Sequence, residues 1–174
     1  MVSPNGVAIE VLKGIWIVLP AYVANAAPLV FARIYPFKRH PIDMGRKLGR
    51  ERILGDSKSI EGFVVGVAMG TLVGWIQEVL GFGSTLRGFC MGLGAMVGDC
   101  VGAFIKRRLG IAPGAPAPVL DQLTFLLFAL LFTAILGTYP LNAFQTIVLI
   151  PVTLGLHLAT NVAAYLMKIK NVPW

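Results

Sequence analysis

Apolar residues fall along this chain in five long runs separated by short polar or basic segments. The runs cover Val7 to Ile34, Ile60 to Leu80, Leu86 to Ile105, Gln122 to Gly137 and Leu141 to Met167. At about 1.5 Å per residue, a helix over each can cross a hydrocarbon core of about 30 Å, the fourth only with local thinning or polar ends. Open strands would leave backbone groups unpaired in lipid, so the runs are predicted as α-helices. The expected fold class is all-α. It is a polytopic membrane protein of five transmembrane helices, a single integral domain over residues 1–174, with cytoplasmic loops at about 35–59 and 106–121. No basic stretch with a small-residue cleavage site precedes the first run, which is therefore expected to stay as a span.

Composition agrees with the pattern. The 174 residues are 56% hydrophobic and 13% charged, with a mean hydropathy of +0.77. Soluble domains carry about 25% charge. Disorder is excluded, and a soluble enzyme or nucleic-acid-binding domain is disfavoured. Cys90 and Cys100, ten residues apart on one predicted helix, stand about 15 Å apart and cannot bridge each other, so both are read as packing residues.

Net charge is +7, and its distribution sets a topology. Arg33, Lys38, Arg39, Arg46, Lys47, Arg50, Arg52 and Lys58 lie in or beside the first loop. Lys106, Arg107 and Arg108 open the third loop, and Lys168 and Lys170 lie in the tail. Only Lys13 and Arg87 fall on the other side. The positive-inside rule then places loops one and three and the C-terminus in the cytoplasm and the N-terminus outside. Loops two (Gly81 to Thr85) and four (near Thr138 and Tyr139) are too short to carry a site, so chemistry is expected at the cytoplasmic face of a multi-pass cell-membrane protein. Glu78 and Arg87, flanking the outer turn, read as a surface pair or interfacial anchors.

Two spans carry glycine ladders, Gly62, Gly66, Gly70 and Gly74 on the second and Gly94, Gly98 and Gly102 on the third, with Gly88 and Gly92 a further pair. Small residues at this spacing let helix backbones approach closely. Tight packing of spans two and three is expected, with a smooth groove for a lipid chain compatible with it. Pro20, Pro28 and Pro151 each remove a backbone hydrogen bond and should kink their helices.

Polar residues inside spans carry the functional signal. Asp99 lies seven residues before Lys106, about 10 Å below the expected membrane surface, and an intramembrane carboxylate is costly enough to mark a functional site. His157, Asn161 and Tyr165 share one face of the fifth span. Asn161 lies seven residues before Lys168 and Asn25 eight before Arg33, so three helices offer a polar group at a similar depth. That describes a water-filled cavity open to the cytoplasm. Two other readings stand beside it. Asn25, His157 and Asn161 could be interhelical hydrogen-bonding groups, and Asp99 could pair with a loop lysine or arginine.

The loops contain what a phosphate site needs. Loop one ends Arg52-Ile-Leu-Gly55-Asp56-Ser57-Lys58-Ser59, directly before a helix N-terminus able to hold an anion and cappable by Ser57 or Ser59. It is not a Walker A loop, since Asp56 and Ser57 separate Gly55 from Lys58. Lys106, Arg107 and Arg108 stand between Asp99 and Asp121; a topological stop signal is the competing reading of the three cations. Carboxylates hold Mg²⁺ and cations hold triphosphate oxygens. Asp43, Asp56, Asp99 and Asp121 are the only aspartates in the chain, and all are expected near the cytoplasmic face. Four acids meeting a basic surface suggest a metal–nucleotide site over lipid.

These residues resemble the CDP-archaeol synthases, archaeal cytidylyltransferases related in fold and chemistry to bacterial CDP-diacylglycerol synthases. The resemblance rests on Tyr22-Val-Ala-Asn25-Ala-Ala-Pro28, Pro41-Ile-Asp43, Arg52-Ile-Leu-Gly55-Asp56-Ser-Lys58 and Gly98-Asp99. It continues through Phe104-Ile-Lys106-Arg107-Arg108-Leu-Gly110, Leu120-Asp121-Gln122-Leu123, His157-Leu-Ala-Thr-Asn161 and the terminal Val172-Pro173-Trp174. It spans nearly the whole chain and is most specific at loop three. Two positions depart from the family pattern. Ser57-Lys58-Ser59 stands where Gly-Lys-Thr is usual, and Thr124 stands where a second Asp is usual.

The resemblance implies Mg²⁺-dependent transfer of CMP from CTP to 2,3-bis-O-geranylgeranyl-sn-glycerol 1-phosphate, giving CDP-archaeol and pyrophosphate. The roles it suggests are Asp99, Asp121 and Asp56 as metal ligands and Lys58, Lys106 and Arg107 on the CTP phosphates. Arg52, Arg108 and Asp43 are further nucleotide-site candidates. Asp99, Lys106 and Asp56 are taken as the catalytic set, with Asn25, His157 and Asn161 lining the cavity near the lipid phosphate. Expected partners are CTP and a membrane-embedded ether-lipid phosphate, without nucleic acid; a homodimer is compatible with this. A small transporter or ion channel is the alternative of a different class. A CDP-alcohol phosphotransferase is disfavoured because its D-G-x-x-A-R signature is absent.

Overall fold

The computed structural model describes residues 4–35, 38–112, 115 and 117–168. Lys170 and the terminal Val172-Pro173-Trp174 lie outside the described residues. Five helices are present among them: α1 (Pro4–Ile34), α2 (Ile60–Val79), α3 (Thr85–Arg108), α4 (Pro118–Ile135) and α5 (Ala143–Leu166). Four are long and apolar enough to cross a membrane. The fourth is short, as its sequence predicts, with an apolar stretch of Leu120–Ile135. At 18 residues, α4 reaches about 27 Å.

Loop one departs from the expected plain loop. It folds into an antiparallel hairpin, β1 (Lys47–Leu48) with β2 (Glu51–Arg52), in register Lys47 to Arg52 and Leu48 to Glu51. The two-residue connection needs left-handed backbone at its first position, and Gly49 supplies it with φ 69°. Loop three is also shorter than expected, because α3 continues to Arg108 and α4 begins at Pro118.

Helix α3 is the axis of the bundle: 56% of its apolar window is buried, against 11% for α5 at the edge. The core joins Val18, Ala21 and Ala24 of α1 to Met91, Ala95 and Met96 of α3 and to Phe125, Leu126, Ala129 and Leu130 of α4. Large apolar side chains point outward elsewhere, among them Val64, Trp75, Leu127 and Ile147. Such a surface is stable against hydrocarbon, not water.

The glycine ladders divide their work between partners. A Cβ at Gly74 would stand 2.5 Å from Gly88 Cα, and one at Gly70 would stand 2.8 Å from Gly92 Cα, so these four residues form the expected α2–α3 crossing. Gly94 and Gly98 instead press on α4, against the backbone of Ala129 and of Thr124. Gly62 presses on α1 at Pro28, while Gly66 lies between the Met96 side chain of α3 and the Ala24 carbonyl of α1. The ladder on α3 therefore serves a different helix from the one expected.

Helix α1 continues through Pro20 and Pro28, and α5 through Pro151. Proline at position 20 leaves the Trp16 carbonyl without its helical donor. The buried Gln77 side chain on α2 replaces it, donating from Nε2 to that oxygen at 2.5 Å.

Candidate active site

Ser59, not Ser57, caps α2, its Oγ accepting from Gly62 N–H at 3.1 Å. This cap ends loop one, and Lys58 immediately before it is carried across to α3. Its Nζ lies 2.5 Å from Asp99 Oδ2, with the side chains 21% and 33% exposed. A second pair closes the other side. Lys106 Nζ, near the end of α3, donates to both Asp121 oxygens at 2.9 and 3.0 Å, and Asp121 also accepts from Ala117 N–H at the start of α4. Two acid–lysine pairs thus draw loop one, α3 and α4 together at one end of the bundle. The pairing of Asp99 with a loop lysine, one of the two readings open from sequence, is present.

Arg107 is different. It is 6% exposed, donates from Nη2 to the Ala112 carbonyl at 3.2 Å and leaves Nε buried without an acceptor. No ion pair to it is found among the described residues. A buried guanidinium lacking an anion is costly, so this position favours binding one.

The remaining loop-one candidates organise the loop itself. Asp43 is buried, its oxygens taking Arg52 Nη2 at 2.5 Å, Arg52 Nε at 3.2 Å and the N–H groups of Gly45, Leu54 and Gly55. The Arg52 guanidinium and these amides hold its carboxyl well below the usual carboxylate range, and the same pairing pushes Arg52 further up. Arg52 Nη1 also reaches Asp56 at 2.8 Å, but Asp56 is 81% exposed. Arg108 donates to backbone carbonyls of the hairpin.

Asn25 is half-buried on α1. His157 of α5 lies beside Phe125 with ring centroids 6.3 Å apart, and Tyr22 meets Phe125 edge-on at 6.0 Å. Tyr22 Oη and Thr153 Oγ1 share a hydrogen bond of 2.7 Å that ties α1 to α5. Neither residue was singled out as a site position from sequence, although Tyr22 is three residues before Asn25 and Thr153 four before His157, the spacing of one helix face. Asn161 follows His157 by one turn. At the far end Glu78 and Arg87 do not pair with each other. Glu78 accepts from Thr85 and Arg87 donates to the Phe82 carbonyl, so both fasten the outer turn.

An apolar groove of about 480 Å³ begins beside the first acid–lysine pair, lined by Ile42, Leu54, Ile60, Val97, Cys100 and Phe104 among others. It shares Phe63 and Val64 with a second groove of about 670 Å³ that continues along α2 and α3 to Trp75 and Phe89.

Comparison with known proteins settles the ancestry. A family model described as CarS-like CDP-archaeol synthase matches residues 7–174. The CDP-archaeol synthase of Methanopyrus kandleri is 47% identical, over 98% of this chain and 97% of that protein. The chain belongs to the CDP-archaeol synthase family. The enzyme of that name from Thermofilum pendens is 42% identical over 100% of this chain and 84% of that protein, and the one from Pyrococcus furiosus 43% over 94% and 98%. A solved structure, described as an intramembrane enzyme for archaeal membrane lipid biosynthesis, superposes with a TM-score of 0.71 at 39% identity, covering 87% of this chain and 94% of that one. Membership makes the chain a membrane-embedded cytidylyltransferase of archaeal lipid biosynthesis and sets aside the transporter alternative.

The three carboxylates assigned to a metal do not form a ready cage. Among the described residues no three His, Cys, Asp or Glu side chains gather closely enough to hold an ion. Asp99 and Asp121 still suit Mg²⁺, which favours hard oxygens and commonly takes only one or two carboxylates, the rest of its shell being water and substrate phosphate. Each has a lysine for a neighbour, and a lysine drawn onto a phosphate would free its carboxylate.

Proposed function

We propose that this chain transfers CMP from CTP to an unsaturated archaeal ether-lipid phosphate, 2,3-bis-O-geranylgeranyl-sn-glycerol 1-phosphate, releasing pyrophosphate and CDP-archaeol. The observation that carries this reading is the convergence of Lys58–Asp99 and Lys106–Asp121 at one end of the bundle, with Arg107, which has no ion pair among the described residues, adjoining Lys106 in α3. The triphosphate takes Lys58, Lys106 and Arg107. Asp99 and Asp121, once released from their lysines, would hold Mg²⁺, which when bound would supply charge neutralisation for the phosphates.

A lipid phosphate oxygen forms the new bond to the α-phosphorus, and the bond from that phosphorus to the oxygen bridging the β-phosphate breaks. Pyrophosphate leaves with the electron pair. A phosphate monoester has its second pKa at about 6 and is already anionic at neutral pH, so no protein base is needed. Lys106 and Arg107 meet the charge that grows on the leaving group. Asn25, His157 and Asn161 line the path by which the lipid phosphate enters. The apolar grooves along α2 and α3 take hydrocarbon from the side, as a substrate already dissolved in the membrane requires.

The decisive test gives membranes carrying the protein α-labelled CTP and the digeranylgeranyl glycerol phosphate, with and without EDTA. Labelled lipid that needs both the acceptor and Mg²⁺ is expected; label in lipid without the acceptor, or none at all, overturns the assignment. The cytoplasmic orientation has its own test. A cysteine at Leu109, which is 65% exposed in loop three, should react with an impermeant thiol reagent only in inverted vesicles, and reaction in right-side-out vesicles reverses the topology.

A further inference from the structure

The loop-one hairpin holds its shape from within. Asp43, with its side chain 1% exposed, gathers Arg52 and the amides of Gly45, Leu54 and Gly55. Its stem is closed beside α2, where Ile42 N–H donates to the Lys58 carbonyl at 2.8 Å and Ile60 N–H to the His40 carbonyl at 2.9 Å. Among the described residues, two polar side-chain contacts join loop one to α3. One is Lys58 on Asp99. The other is Arg108, whose Nη1 donates to the Leu48 carbonyl at 2.5 Å and whose Nη2 donates to the Arg52 carbonyl at 2.8 Å, with Glu51 O at 3.4 Å. Its guanidinium also lies over the Phe104 ring, 5.4 Å from the centroid. The hairpin covers it closely enough that its Nε is buried without an acceptor.

We infer that Arg108 is a positioning residue that clamps the hairpin to α3 and thereby places Lys58, and that it is not a phosphate ligand. The inference deepens the proposed function and rests on it. A triphosphate that draws Lys58 from Asp99 removes one of the two tethers, and Arg108 then keeps the loop over the nucleotide. A phosphate binding Arg108 would have to compete with the hairpin carbonyls for its Nη donors. Adjacent arginines thus divide two tasks: Arg107 faces the interior with spare donors, and Arg108 holds backbone.

The test uses the full-length protein in nanodiscs, comparing wild type, Arg108→Ala, Arg108→Lys and Arg50→Ala, the last removing an exposed cation at the hairpin tip. Hydrogen exchange without nucleotide should show residues 46–55 opening about tenfold faster in Arg108→Ala, with helix-core amides unchanged. The KM for CTP should rise about tenfold while kcat stays within about twofold. Arg108→Lys, which keeps the charge but loses the planar fork, should fall between, and Arg50→Ala should match wild type. Unchanged exchange in the loop, or a fall in kcat with the CTP KM intact, overturns the clamp. If Arg108→Ala loses core protection, Arg108→Lys decides by the same two readings. If wild type transfers no CMP, the proposed reaction fails, and loop exchange alone still decides whether Arg108 is a clamp.

Discussion

At the scale of single residues, the proposed site is a set of charges that neutralise one another in pairs, to be opened by a ligand. Partly buried ion pairs suit this use: exposed pairs contribute little, and fully buried ones are expensive to break. Lys58 and Asp99, at 21% and 33% exposure, lie between these extremes. Asp99→Asn should leave a folded protein, since its partner lysine can still reach water. CMP transfer should drop at least about a hundredfold, because the amide cannot replace a carboxylate beside Mg²⁺; retained activity removes Asp99 from the metal site. Lys106→Ala should raise the KM for CTP more than that for lipid, and the opposite ranking inverts the phosphate assignment. Asp43 behaves differently because its charge is consumed inside the hairpin. Its carboxyl is held below the ordinary range in the folded state, so the stability it contributes is complete above the unfolded value of about 4 and is lost as pH falls through the depressed folded value. The melting temperature of Asp43→Asn should therefore lie below wild type by a constant gap from pH 5 to 8, and the gap should narrow only in stronger acid. A gap that closes between pH 7 and 5 contradicts the pairing.

At the scale of elements, what could be read from the chain is what short-range pattern encodes. The apolar runs locate all five helices to within a few residues, because span length and hydropathy are local properties. The polar faces of α3 and α5 and the Ser59 cap follow from helical spacing in the same way. The hairpin does not, since its strands are two residues each and depend on Asp43 and Arg108 reaching distant backbone groups. The partner of each glycine is likewise set by three-dimensional crossing, which explains why Gly94 and Gly98 meet α4 when α2 was expected. The bond from Gln77 to Trp16 shows how two helices correct one defect jointly, as α1 lacks a donor at Pro20 and α2 supplies it. Gln77→Leu should cost about 1–3 kcal/mol by stranding that carbonyl. Pro20→Ala restores a backbone N–H at the right position but leaves a small void. The double variant should be less destabilised than the sum of the two single changes, measured as Tm or denaturant midpoint in detergent, and strict additivity means the bond contributes nothing.

At the scale of the whole molecule, the proposed reaction requires a water-soluble triphosphate and a hydrocarbon-chained phosphate to meet at one depth. The charged groups sit at the bundle end that carries the basic loops, while the apolar grooves run down the membrane-facing side of α2 and α3. The glycine crossing makes this arrangement compatible with a stable core, because backbone contact at Gly70, Gly74, Gly88 and Gly92 joins the helices without bulky side chains. The larger residues are left for the outward face. Val64 tests this division of labour, since it is 59% exposed and lines both grooves. Val64→Trp adds an aromatic ring where hydrocarbon chains are proposed to lie, with no polar contact to lose and lipid to accommodate the excess volume. The KM for the ether-lipid phosphate should rise about tenfold, the size expected when a pocket loses room for one or two methylene groups, with the KM for CTP and the Mg²⁺ dependence unchanged. If both KM values rise together, the groove and the nucleotide site are mechanically coupled and the separation between wet and oily halves is wrong. If neither moves, the chains enter by another face, and the loosely packed edge of α5 beside His157 becomes the place to substitute next.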